Sequence, residues 1–426
     1  MLLIQNITIA DPKTMKETLG DILVKDGKIA QIAGSKTIQP TADMEIIDGT
    51  GLVAGPGLID VHVHFRDPGL TYKEDIYTGA KAAAAGGFTN VVMMANTKPA
   101  IDSVETLQYV LEKGRETDIH VESCATVTIG MQGKQLVDMD ALKAAGAIGF
   151  TDDGVPILEE ALAKEAMKET ARLHVPISFH EENPQFIANN GINRGKASEY
   201  FQIGGSDRQA EIVMIERDVK LALETGADIN VQHISTKEGV EWIRQGKQKG
   251  GNVWAEATPH HIALTEEAAI KHGTLAKMNP PLRTEEDRKA IIQGIADGTI
   301  DLIATDHAPH SVEEKSKKIT EAPSGIIGLE TSLALCNTHL VQTGVINHAQ
   351  LMEKMSYNPA RLYHLEETRG HISVGAEADL VLYDPTETWT VGETFQSKAV
   401  NTPFVGTTLT GCVRYTICEG KIVYKK

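Results

Sequence analysis

From Gly55 to about residue 305 the chain repeats one pattern, a short apolar segment followed by a stretch with helical spacing. Eight apolar segments stand out, at 58–64, 90–95, 120–125, 147–151, 175–180, 228–233, 252–257 and 301–305. Helical spacing occupies 75–85, 104–116, 158–173, 207–224, 237–248 and 284–296. Strands that alternate with helices make parallel sheets covered by those helices. Eight such units predict a closed (β/α)8 TIM barrel over 55–365. The competing architecture is an open doubly wound sheet. No Gly-x-Gly-x-x-Gly opens a helix after the first strand, and the count of eight favours closure.

The two ends differ from this middle. Residues 1–54 hold short apolar segments parted by turn formers such as Asp26-Gly27 and Asp48-Gly49, as in hairpins. After helical stretches at 329–340 and 350–355, β character returns at 378–383, 413–417 and 421–424. Neither end has enough strands to bury both faces of a sheet. Residues 1–54 plus 366–426 are therefore expected to pack together as one small β-sandwich domain.

The formal net charge of −17 argues against nucleic-acid or anionic-membrane partners. It does not exclude an anionic small substrate, because a pocket can oppose the net field. No apolar run is long enough for a membrane span. The N-terminus lacks a basic region followed by a long apolar core. The four cysteines form no Cys-x-x-Cys pair and no disulfide framework. A cytoplasmic protein is the expectation.

Active sites of such barrels lie at the carboxyl ends of the strands. Strand one ends in His62-Val63-His64, whose imidazoles face one side because residues two apart on a strand do so. Strand two ends in Ala95-Asn96 and strand four in Thr151-Asp152-Asp153. Strand five ends in His180, strand six in His233, and strand eight in Asp306-His307-Ala308-Pro309-His310. Any one of these residues has an ordinary reading as a hydrogen-bonded rim residue. Four histidines and two aspartates at one rim do not. Imidazoles and carboxylates suit zinc, with manganese, iron or cobalt as alternatives. Four histidines and one bridging carboxylate suffice for two ions, and a water they share becomes nucleophilic near neutral pH. That points to hydrolysis of an amide, ester or phosphate, with the strand-eight carboxylate placed to move the proton.

These residues match the pattern of the amidohydrolase superfamily. Within it the chain resembles the dihydroorotases, through Gly57-Leu58-Ile59-Asp60-Val61-His62-Val63-His64-Phe65-Arg66-Asp67-Pro68-Gly69, Met94-Ala95-Asn96-Thr97, Ala304-Thr305-Asp306-His307-Ala308-Pro309-His310 and Pro323-Ser324-Gly325. The resemblance implies reversible cyclisation of N-carbamoyl-L-aspartate to L-dihydroorotate, in pyrimidine biosynthesis, with two Zn2+ per subunit. It implies His62 and His64 on one ion, His180 and His233 on the other, Asp153 bridging, and Asp306 as metal ligand and general acid/base. Substrate contacts would come from His64, Phe65, Arg66, Asn96, Asn279, His310, Ser324 and Gly325. A homodimer is implied, and association with aspartate carbamoyltransferase stays open.

Many relatives bridge their metals with a carboxylated lysine on strand four, where this chain has Thr151. It resembles the bacterial branch that uses aspartate. In an extended backbone Thr151 and Asp153 point one way and Asp152 the other, which favours Asp153. Asp152 is then expected to orient a neighbouring ligand. His174, His260, His261, His307 and His364 are expected mostly at the rim or surface, with His261 a candidate for the site. Residues 310–323 read as a solvated loop or as a lid. Two other functions compete: a hydantoinase or allantoinase, whose uncharged ring would leave Arg66 without a partner, and a silent scaffold barrel, which would have lost ligands that this chain keeps.

Overall fold

The computed structural model describes all 426 residues. Its centre is a parallel eight-stranded sheet whose order follows the chain. The barrel strands are Leu58–Val63, Phe88–Met93, His120–Ala125, Gly149–Thr151, Ile177–Phe179, Ile229–Val231, Val253–Ala257 and Leu302–Ile303. Most are buried along their whole length, as strands covered on both faces must be.

The helices between them follow ordinary local rules. Lys237–Gln248 starts at Thr236, whose hydroxyl accepts from the Gly239 amide, and buries Gly239, Val240, Ile243 and Gly246 along one stripe. Ile76–Ala85 and Glu285–Asp297 each begin with a capping box, on Asp75 and Thr284. Removing one such cap costs about 1 kcal/mol.

Seven of the eight seams are backbone ladders. The eighth, between the last strand and the first, is closed differently. Val63 and His307 form an isolated parallel bridge, and the His64 amide donates to the His307 carbonyl at 2.9 Å. Below it, the Asp60 carboxylate accepts from the Thr305 amide (3.1 Å), the Thr305 hydroxyl (2.6 Å) and the His62 amide (3.1 Å). A buried side chain stands in for ladder bonds, so the eighth strand is Leu302–Ile303 rather than the expected 301–305.

A second sheet gathers both ends of the chain into the small β-sandwich. Its strands run in the order Lys421–Lys425, Thr408–Cys418, Leu380–Thr390, Val53–Pro56, Leu2–Asp11, Lys16–Lys25, Lys28–Gly34, with Glu45–Asp48 beside Leu2–Asp11. Val53–Pro56 joins the ends: it pairs parallel with the first strand and antiparallel with Leu380–Tyr383. Ile4, Ile7, Ile22, Ile29, Leu380, Leu382 and Ile417 form a core of its own. At about 25 cal/mol per Å2, burying each such side chain contributes about 2 kcal/mol. Neither end holds enough of these residues alone.

The four cysteines are all free and buried. No helix is long and apolar enough to cross a membrane.

Candidate active site

The carboxyl end of the barrel opens into a cleft of about 180 Å3. It is lined by His64, Arg66, Asn96, Asp153, Gly154, His180, His233, Asn279, Asp306, Ala308, His310, Ser324 and Gly325. His62 lies beneath, 1% exposed. Residues from 62 to 325 in the chain thus meet at one mouth, because each follows a barrel strand at the same end.

Asp153 is central. Its Oδ1 lies 3.5 Å from His62 Nε2, 3.6 Å from His180 Nδ1 and 3.8 Å from His233 Nε2. Its Oδ2 lies 3.4 Å from His64 Nε2 and accepts from Asn96 Nδ2 at 3.0 Å. Asp306 Oδ1 is 3.1 Å from His64 Nε2 and 3.5 Å from His62 Nε2. Two groups of donor atoms therefore share Asp153, one with His62 and His64 and one with His180 and His233.

Three of the four imidazoles are held from behind. His64 Nδ1 lies 2.9 Å from Asn96 Oδ1, His180 Nε2 3.1 Å from Glu182 Oε2, and His62 Nδ1 2.5 Å from Glu256 Oε1. Such contacts fix the ring and the tautomer of a metal-ligating histidine. His62 Nε2 is buried and has no hydrogen-bond partner. A nitrogen lone pair facing two carboxylates from a dry floor fits a cation, and this donor set fits a borderline divalent ion.

The charges shift one another. Burial works against the Asp306 carboxylate, but His62 and His64 outweigh it and hold its pKa down to about 2. Asp153 is likewise held well below the usual carboxylate range, with burial opposed by His62, His180 and His64. Burial disfavours a charged His180, yet Asp153 and Glu182 lift it to about 10. The carboxylates thus stay ionised at neutral pH.

Arg66, His233 and Asp306 all have positive φ (61°, 33° and 49°), a conformation that costs a non-glycine residue about 1–3 kcal/mol. Arg66 reaches into the cleft with Nε 3.3 Å from the Pro309 carbonyl and Nη2 3.5 Å from His310 Nε2. Asn279 Oδ1 and Ser324 Oγ are buried without partners. Polar groups left unpaired beside a cleft are groups a ligand can satisfy.

Several expectations need correction. Phe65 does not line the cleft: it is fully buried, packs on the helix at Gly79 and meets His307 edge to face. The barrel strand ends at Val63, and past it the Phe65 ring turns into the core while His64 faces the cleft. Asp152 orients no ligand. It accepts from the Val127 and Thr128 amides and the Thr128 hydroxyl, and so shapes the loop after strand three. His260, His261 and His307 are buried, whereas His174 and His364 are exposed. His261 sits behind the cleft, its Nδ1 2.9 Å from Thr258 Oγ1 and its Nε2 3.1 Å from the Pro280 carbonyl next to Asn279.

Other contributors carry no local motif. Lys73 Nζ lies 3.4 Å from His310 Nδ1 and pairs with Glu314 at 2.9 Å. Asn401 comes from the segment between two sandwich strands. Its Oδ1 accepts from the His310 amide, and its Nδ2 donates to the Ala308 and Gly325 carbonyls, all at 3.0 Å. Glu256 had no signal beyond an acid inside an apolar strand.

The barrel, the His-x-His after strand one and the aspartate after strand eight define a hydrolase of the amidohydrolase superfamily. An amidohydrolase family profile matches residues 343–424, and a profile described as dihydro-orotase-like matches 51–239. Proteins named dihydroorotase from Clostridioides difficile, Clostridium acetobutylicum and Streptococcus pneumoniae are 53%, 50% and 49% identical to this chain, over 100% of both chains in each case. The chain belongs to the dihydroorotase family. Among solved structures, an L-hydantoinase from Arthrobacter aurescens superposes with a TM-score of 0.89 at 27% identity, covering 100% of this chain and 96% of its own. A dihydropyrimidinase from Brevibacillus agri shares the fold, with a TM-score of 0.86 at 23% identity over 99% and 95% of the two chains.

Proposed function

We propose that the chain interconverts N-carbamoyl-L-aspartate and L-dihydroorotate, the ring-closing and ring-opening step of pyrimidine biosynthesis, as a zinc-dependent cyclic amide hydrolase. The observation that carries this reading is the presence of Arg66, Asn96 and His310 in the same cleft as the His/Asp cluster. A carboxylate-binding arm beside a hydrolytic centre suits a ring that bears a carboxylate.

In this reading His62 and His64 would hold one ion, His180 and His233 the other, with Asp153 common to both groups and Asp306 a further ligand. Two bound Zn2+ ions supply a polarised amide carbonyl and a water made nucleophilic near neutral pH. The guanidinium of Arg66 grips the substrate carboxylate through paired, charge-assisted hydrogen bonds. Asn96 and His310 complete that grip. Asn279 and Ser324, with the Gly325 backbone, offer hydrogen bonds to the ring amide. Asp306 is ionised and lies against the reacting atoms, so it takes a proton during attack and delivers it to the leaving nitrogen. In ring closure the same proton runs the other way.

The test uses one preparation. Elemental analysis should find about two Zn2+ per chain. A chelator should abolish dihydroorotate turnover, and added Zn2+ should restore it. Full turnover of chelator-treated, zinc-free protein would sink the reading. So would faster hydrolysis of hydantoin than of dihydroorotate.

The fold of the hydantoinases favours no uncharged substrate, because Arg66 would then face no partner. Homodimer formation and association with aspartate carbamoyltransferase are proposals from the family resemblance, and a cytoplasmic location is one from the cysteine and N-terminal pattern. Sedimentation of the purified chain, alone and mixed with that enzyme, tests the first two.

A further inference from the structure

We propose that Glu256 is the positioning residue of this centre: it holds His62 in the one tautomer and orientation that aims Nε2 at an ion, and it ties that ligand to the strand bearing His233. The inference rests on the two-ion reading above.

Glu256 sits in the seventh barrel strand, which supplies none of the six candidate ligands. It is fully buried, and its one ion-pair partner is His62. An acid in the core without a lysine or arginine is strongly unfavourable unless its oxygens are well used. These are. Oε1 receives His62 Nδ1 at 2.5 Å and the His233 amide at 3.1 Å, and Oε2 receives Asn230 Nδ2 at 3.2 Å. One carboxylate therefore fastens together strands one, six and seven directly below the cleft.

The tautomer follows from the acceptor. A carboxylate oxygen facing Nδ1 favours the tautomer with the hydrogen there, which leaves Nε2 to offer its lone pair to an ion. That nitrogen is the buried one without a partner, 3.5 Å from both Asp153 and Asp306. The two ligand groups depend on Glu256 unequally. His62 relies on it through its ring, His233 only through its backbone amide. The ion of the His62–His64 group should thus be the one that loosens when Glu256 is changed.

Two variants separate positioning from mere support. Glu256→Gln keeps a carbonyl oxygen for Nδ1–H, and its amide can face Asn230, whose Oδ1 has no partner and can turn to accept. Glu256→Leu removes the acceptor altogether. Zn2+ content and affinity are read by elemental analysis and by competition with a chromophoric chelator, and folding by circular dichroism. The native chain should hold two ions. Glu256→Gln should hold two, one of them about tenfold more weakly. Glu256→Leu should bind that ion about 100-fold more weakly and keep one per chain at limiting Zn2+, the losses typical of removing a ligand's supporting partner. Its competition curve should match that of His62→Ala and differ from that of His233→Ala. Native affinity for both ions in Glu256→Leu would overturn the proposal, as would equal weakening of both. If Glu256→Leu does not fold, Glu256→Gln decides: selective weakening of one ion supports the proposal, and unchanged affinity overturns it. A native chain that binds no ion would instead refute the two-ion reading.

Discussion

The two mouths of the barrel both gather histidine, aspartate and other ligand-type side chains, but only the carboxyl one surrounds an open cleft with them. At the amino end His120, Asp379 and Cys418 bring their ligand atoms within 4.8 Å of one another, as do the two His/Asp groups at the carboxyl end. There the capacity is spent. His120 Nε2 bonds Asp379 Oδ2 at 3.1 Å, and Asp379 Oδ1 accepts the Glu419 amide at 2.7 Å. Burial pushes the Cys418 thiol far above its usual range, so it stays protonated and a poor ligand. At the carboxyl end His62 Nε2, Asn279 Oδ1 and Ser324 Oγ are left unpaired, and three residues carry strained backbone. Residue type alone marks both mouths as candidates; unpaired groups facing an open cleft, together with strained backbone, single out the carboxyl end. The amino-end cluster instead fastens the barrel to the sandwich.

The largest expected contrast is catalytic. Asp306→Ala should cut turnover of dihydroorotate about 10^3-fold with the fold intact, the range for loss of a general acid/base. His120→Ala at the opposite mouth should leave turnover within about twofold. Native-like turnover in Asp306→Ala would erase the distinction drawn here.

Arg66→Met comes next. It removes charge-assisted hydrogen bonds of about 1.5–3 kcal/mol, so KM for dihydroorotate should rise about 10–100-fold. Any residual hydrolysis of an uncharged ring should not change. A KM within twofold of native would remove Arg66 from the carboxylate grip.

Asp379→Asn probes the amino end by stability. It weakens the His120 and Glu419 contacts and should cost about 1–3 kcal/mol, a drop of a few degrees in Tm. Zinc content should stay at the native value. Loss of an ion would show that the amino mouth binds metal after all.

The smallest effect is one of pH, in the 311–325 segment beside the cleft. Lys315 Nζ is buried there, within hydrogen-bond distance of the Pro323 (2.9 Å) and Gly325 (3.0 Å) carbonyls and 3.4 Å from that of Lys277. Burial and the neighbouring Lys277 pull its pKa down to about 7 from 10.5. Below pH 7 the amine is charged whether the segment is packed or released. Between pH 7 and 10.5 only the released form binds the proton, so packing should strengthen as pH rises through that window. Proteolytic nicking of 311–325, normalised to Lys315→Met, should slow over it. No pH dependence relative to that variant would mean that Lys315 does not hold the segment.

Read without coordinates, the chain already named its architecture and its chemistry. Alternating apolar strands and amphipathic helices leave few folds, and a barrel puts strand-end residues at one mouth by construction. That His62, His64, Asp153, His180, His233 and Asp306 would meet at one mouth was legible because each lies at or just past the carboxyl end of a strand, and His-x-His spacing fixes a shared direction. Tertiary structure alone decided the rest. Glu256 and Asn401 brace residues of the cleft only because a strand and a loop distant in sequence fold beneath and beside it. Asp60 closes the last seam where ladder bonds give out. Phe65, carried along with its motif, turned into the core, where it packs on the helix at Gly79. Periodicity is local and survives in one dimension; which buried atom is left without a partner depends on every element packed around it.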